Sequence, residues 1–80
     1  LPSDMSFDIT LKNLSKSACI SLSEMPLKEQ DKLLLMKISI INSNGTAEFS
    51  WGGEYKLPIE KYSARKFCQN GNNTIMWTFQ

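Results

Sequence analysis

The chain contains no histidine and only two cysteines, and its longest apolar run is Leu33-Leu34-Leu35-Met36. Each scarcity excludes something. Without histidine, a hydrolytic or metal site built on imidazole has neither its base nor its nitrogen ligand. No Gly-x-Ser-x-Gly elbow accompanies the serines. Glu24, Glu29, Glu48, Glu54 and Glu60 belong to a residue type that normally stays solvated, so they read as surface and not as a catalytic pair. The chain is therefore expected to be no enzyme, and to use no metal or cofactor. An apolar run this short falls far below the roughly 20 residues of a membrane span. Charge of one sign is also missing: nine basic and eight acidic residues leave a net charge of +1. Electrostatic capture of nucleic acid or of a membrane surface has no basis in that balance.

What is present begins with Cys19 and Cys68. A chain of 80 residues makes one domain, expected here to span 1–80, and at that size only about 60% of the unfolded chain's surface is buried on folding. Extra fastening is expected. A bond between cysteines so far apart adds about 4 kcal/mol on the loop-entropy account. Neither cysteine belongs to a CxxC pair, which removes thioredoxin-like redox chemistry and the usual zinc spacing. The alternative is two unrelated buried thiols. The disulfide is the preferred reading, and it implies an oxidising compartment such as the periplasm or the cell exterior. No signal peptide is visible and the first residue is Leu1, which suggests a processed or trimmed piece of a longer protein.

Met5, Phe7, Ile9 and Leu11 alternate with Ser6, Asp8 and Thr10, the period of a strand with one buried face. Ser15 is placed to cap a helix on which Ala18, Cys19, Leu22 and Met25 recur before Pro26 stops it. Residues 27–32 read as a surface turn or a brief helical extension. From Leu35 a strand places Met36, Ile38 and Ile40 on one face and Lys37, Ser39 and Ile41 on the other. Asn44-Gly45 then signals a hairpin whose two turn positions must tolerate positive φ, and Thr46 to Trp51 return antiparallel. Gly52-Gly53 turns the chain, and Glu54 to Leu57 form a short strand or an extended lead-in. Pro58 suits the first position of a helix, with Ile59, Tyr62, Ser63 and Phe67 inward and Lys61 and Arg65 facing water. Asn70-Gly71 is expected to end that helix. Thr74 to Gln80 form the last strand, with Ile75, Trp77 and Phe79 alternating against Met76 and Thr78. The expected fold is α+β: an antiparallel sheet of about four strands with two short helices packed on it and one disulfide.

Taken in order, these segments resemble the type IV pilins, and within them the type IVb branch. The resemblance rests on the alternating strand followed by Asn-Leu-Ser-Lys-Ser-Ala-Cys19, on Ile-Ser-Ile-Ile-Asn-Ser-Asn-Gly-Thr, and on the run from Leu57-Pro58-Ile59 through Cys68 to Asn73-Thr74-Ile75-Met76-Trp77-Thr78-Phe79. It spans Met5 to Gln80 and corresponds to the C-terminal, globular part of such a subunit. The hydrophobic N-terminal helix of those proteins and its early glutamate have no counterpart in this sequence. The resemblance implies a pilin head, from a major or a minor subunit, that is structural and adhesive. Its region from Cys19 to Cys68 would face outward on an assembled extracellular fibre. Other pilin subunits and a host receptor or surface are the implied partners, with no nucleic acid and no membrane contact by this part. Before assembly the subunit would sit at the periplasmic face of the inner membrane.

A different class of function is a free secreted binding module, an adhesin, inhibitor or receptor-binding domain. Phe49, Trp51 and Tyr55 gather around Gly52-Gly53, and aromatics at a turn offer large contact area at little entropic cost. The competing reading is that Phe49 and Trp51, two apart on one strand, both face the core. Lys12, Lys16, Lys61, Arg65 and Lys66 flank the two cysteine-bearing helices, either as a basic patch for an acidic neighbour or as solvated helix faces. Three Asn-x-Ser/Thr matches, at Asn13, Asn44 and Asn72, are explained by turn-like settings.

Overall fold

The computed structural model describes residues 6–80. Its order is β1 (Phe7–Leu14), α1 (Lys16–Ser23), a 3₁₀ turn (Glu29–Leu33), β2 (Leu35–Asn42), β3 (Gly45–Ser50), β4 (Tyr55–Lys56), α2 (Lys61–Phe67) and β5 (Asn73–Phe79). The strands form one sheet in the order β1-β5-β2-β3-β4. The fold is α+β, with five strands where about four were expected. All pairings are antiparallel except that of β3 with β4. The parallel neighbour arises because the chain loops round through Gly52-Gly53 and then runs beside the end of β3 in the same direction before entering α2.

One face of the sheet carries the core. Its rows run Leu11–Ile75–Ile40–Ala47 and Ile9–Trp77–Ile38–Phe49 across β1, β5, β2 and β3. Cys19 from α1, and Ala64 and Cys68 at α2, cover the middle of these rows together with Leu57 and Ile59. Cys19 and Cys68 are bonded, with their Cα atoms 5.9 Å apart. The other face is polar: Lys37 Nζ pairs with Glu48 Oε2 at 2.7 Å, and Thr78 Oγ1 donates to Asp8 Oδ1 at 2.7 Å.

Several local expectations are corrected. The alternation of β1 is real, but Phe7, Ile9 and Leu11 are exposed, because the helices cover β5, β2 and β3 and stop short of this edge. Met5 lies outside the described residues. In β2 the inward residue at the start is Leu35, which pairs with Phe79, while Lys37 pairs with Thr78. Met36 is the extra residue of the resulting bulge and is exposed, so the period of two breaks there. At the hairpin Ser43 and Asn44 are the turn residues, and positive φ falls one position later, on Gly45 at 127°. Asn42 Oδ1 accepts from Asn44 N at 3.0 Å and closes the turn from the side.

Ser15 caps α1 as expected, accepting from Ala18 N at 3.1 Å. Met25 lies beyond the helix and is exposed. Pro58 is not the first helical residue. Leu57 and Ile59 are both buried around an exposed Pro58 in a bend, and α2 begins only after Glu60. Of the expected inward stripe, Ile59 is buried and Phe67 packs against the core, but Tyr62 is 75% exposed, and the buried positions are Ala64 within α2 and Cys68 at its end. Tethering Cys68 to Cys19 turns that side of the helix toward α1, where Ala64 is fully buried. Asn70-Gly71 does not end α2 either. The helix stops at Cys68, already extended, and the left-handed residue that starts β5 is Asn72, with φ 56°.

Candidate functional site

Two parts of the surface carry the residues singled out above. The first is the turn after β3. Phe49 is 1% exposed and sits in the core, edge-on to Phe67 with ring centroids 5.8 Å apart. It therefore cannot serve as a surface platform. Tyr55 closes over this pair, 5.5 Å from Phe49 and 5.2 Å from Phe67, and keeps one edge in solvent. Trp51 packs against the core and donates its indole N–H to Leu35 O at 2.7 Å. Its ring meets Lys32 Nζ at 5.6 Å. The three aromatics do not make one platform: Tyr55 belongs to a cluster over α2, and Trp51 braces the start of β2. Sequence spacing brought them together because alternation along one strand says nothing about which neighbours close over each ring.

The second part is the stapled end of the molecule. Here the structure adds a polar network that the sequence reading missed. Asn73 is fully buried, and its Nδ2 donates to Leu14 O at 3.1 Å and to Gln69 O at 2.8 Å. Its Oδ1 accepts from Gln69 N at 2.9 Å and from Asn42 Nδ2 at 3.1 Å. Asn42 Nδ2 also reaches Phe67 O at 2.7 Å. A single amide thus ties the end of β1, the loop after α2 and the end of β2 to the start of β5. Such a network holds only when its members are satisfied, and here every polar atom of Asn73 is. The available signal was Asn72-Asn73-Thr74, which turn chemistry explains for Asn72 but not for Asn73.

The basic residues Lys12, Lys16, Lys61, Arg65 and Lys66 are all exposed. Lys61 and Arg65 share a shallow depression with Ser17, Ser21 and Glu24 of the α1 side, so the surface there carries both signs. Among the described residues there is no group of three or more His, Cys, Asp or Glu placed to hold a metal ion, and no helix is long and apolar enough to cross a membrane.

A third surface was not anticipated. Beside β1, an open groove of about 340 Å³ is lined by Ile9, Met25, Leu27, Leu34, Trp77 and Phe79. Its floor is the uncovered end of the core face, and its far wall is the segment from Met25 to Leu34. Phe7 stacks on Phe79 at 5.2 Å at its mouth. Comparison of the chain with family models, with curated proteins and with solved structures finds no match.

Proposed function

We propose that this chain is the disulfide-stapled globular head of a type IVb pilin or minor pilin, acting by protein–protein contact in an extracellular bacterial fibre and supporting adhesion or assembly. The observation that carries the reading is the ordered set of segments that ends in Leu57-Pro58-Ile59, Cys68 and Asn73-Thr74-Ile75-Met76-Trp77-Thr78-Phe79, which resembles those subunits in the same order. The Cys19–Cys68 bond supports it, because it joins the helix after the first strand to the end of the helix before the last one. The mechanism is shape and surface. The disulfide and the Asn73 network make one end of the head rigid, and a rigid end can present a contact surface at little entropic cost.

The test is immunogold electron microscopy of the producing cells with antibody raised against the folded chain. Label along filaments that disappear when the parent gene is deleted is the expected result. Label confined to the medium or spread over the cell body, with no filament decorated, would overturn the proposal.

A further inference from the structure

The two edges of the sheet differ. β4 offers two residues, too few to pair with another strand, whereas β1 offers eight and, among the described residues, has no strand on its outer side. An edge of that length is normally protected by lysine, proline or a covering element, because its free N–H and C=O groups invite pairing. Within Phe7–Leu14 there is no proline, and the only charged residues are Asp8 and Lys12. Phe7, Ile9 and Leu11 stand exposed along it.

Asp8 and Lys12 are placed symmetrically about Thr10. If β1 meets a second β1 antiparallel with Thr10 opposite Thr10, each Asp8 faces the other copy's Lys12, and each Ile9 faces the other copy's Leu11. Opposite charges and apolar pairs directly across strands are the favourable combinations. The lone lysine that would guard this edge against other strands is thereby matched by an aspartate. Beyond Leu11 the strand bulges against β5, with Asn13 at a φ of 57°, so Lys12 stands at the end of the regular stretch. No ion pair within the described residues engages Asp8 or Lys12.

We infer that a second copy of this chain docks on β1, joining the two sheets through an antiparallel, two-fold β1–β1 pairing in the register centred on Thr10. The contact is isologous and closes on itself, so it links two heads and does not extend a row of them. It goes beyond the fibre proposal and stands independently of it, since it concerns the head alone in solution.

Sedimentation equilibrium of the 80-residue chain over a concentration series tests it. The expected result is a concentration-dependent shift from 9.1 kDa toward twice that mass. Asp8→Lys and Lys12→Asp, made singly, place like charges opposite each other twice, and each is expected to weaken association about tenfold or more. The double variant Asp8→Lys/Lys12→Asp restores opposite pairs and is expected to recover it. Because both Asp8 variants lose the Thr78 hydrogen bond, recovery in the double variant isolates the effect of pairing. Circular dichroism confirms that each variant is folded. A wild-type chain that stays at 9.1 kDa throughout, or a double variant no better than the singles, overturns the inference. Fibre labelling is unaffected by either result, so the two proposals fail separately.

Discussion

Ile75 and Leu11 face each other across neighbouring strands on the same side of one sheet, yet Ile75 is 0% exposed and Leu11 is 42% exposed. The next row repeats the contrast, with Ile38 at 2% and Ile9 at 49%. Residue type does not distinguish them, though β1 is the edge of the sheet while β5 and β2 lie inside it. Beyond that, the difference lies in what crosses above them: α1 and α2, bonded through Cys19 and Cys68, sit over β5, β2 and β3, and among the described residues no helix covers Phe7 to Leu11. A period of two reports that a face is apolar. Whether that face is covered depends on elements far away in the sequence.

That contrast can be broken most strongly at the staple. Replacing both Cys19 and Cys68 with alanine should lower stability by about 4 kcal/mol by the loop-entropy estimate, and urea unfolding followed by circular dichroism should show the loss of a cooperative transition near room temperature. Stability within about 1 kcal/mol of wild type would show that packing holds the two helices without the bond. Ile40→Ala, under the helices, should cost about 3 kcal/mol through lost burial and the cavity it leaves. Asn73→Ala leaves two carbonyls and one backbone N–H without their side-chain partner and takes one of two acceptors from the Asn42 amide, and should cost about 2 to 3 kcal/mol. Amide exchange should then quicken at Leu14, Gln69 and Asn42 together; a change at only one of them would mean that the network is not a single unit.

Smaller effects are expected toward the open end. Trp51→Phe keeps most of the ring but loses the bond to Leu35 O, a loss of about 1 kcal/mol in thermal melts. Ile9→Ala, measured at low concentration so that association does not contribute, should cost below about 1 kcal/mol, because half of its side chain is already in water. If Ile9→Ala proved as costly as Ile40→Ala, the two ends of the sheet would be energetically alike and the contrast would fail.

Much of the architecture was legible in the chain. Ser15 announced the start of α1, Asn44-Gly45 the neighbourhood of the hairpin, and Ile75, Trp77 and Phe79 the last strand. These signals are local, because capping, turn and alternation each act over a few residues. The errors fell where long-range contacts overrule them. Tyr62 has the right spacing for an inward stripe, yet the tether from Cys68 gives that side to Ala64. Met36 fits the alternation of β2, yet pairing with β5 inserts a bulge and sends Leu35 inward in its place. Phe49 and Trp51 have the spacing of one strand face, but Phe49 is enclosed by Tyr55 and Phe67 while Trp51, just past the end of β3, turns its N–H to β2. Asn73 was the largest omission, since an asparagine beside a turn residue carries no local sign that four hydrogen bonds from three residues will converge on it.

The amino-acid sequence by itself determined the α+β class, the alternating strands, the capped first helix, and the presence of two cysteines able to staple a domain too small to bury a large core. Those properties depend on local conformational preference and on composition. Only the tertiary structure decided that the cysteines bond, that Asn73 joins three separate segments, and that the apolar face of β1 is left open beside a groove. Each of these depends on which residues meet after the chain closes, and the meeting is set by the register of β5 between β1 and β2, a pairing of strands from opposite ends of the sequence.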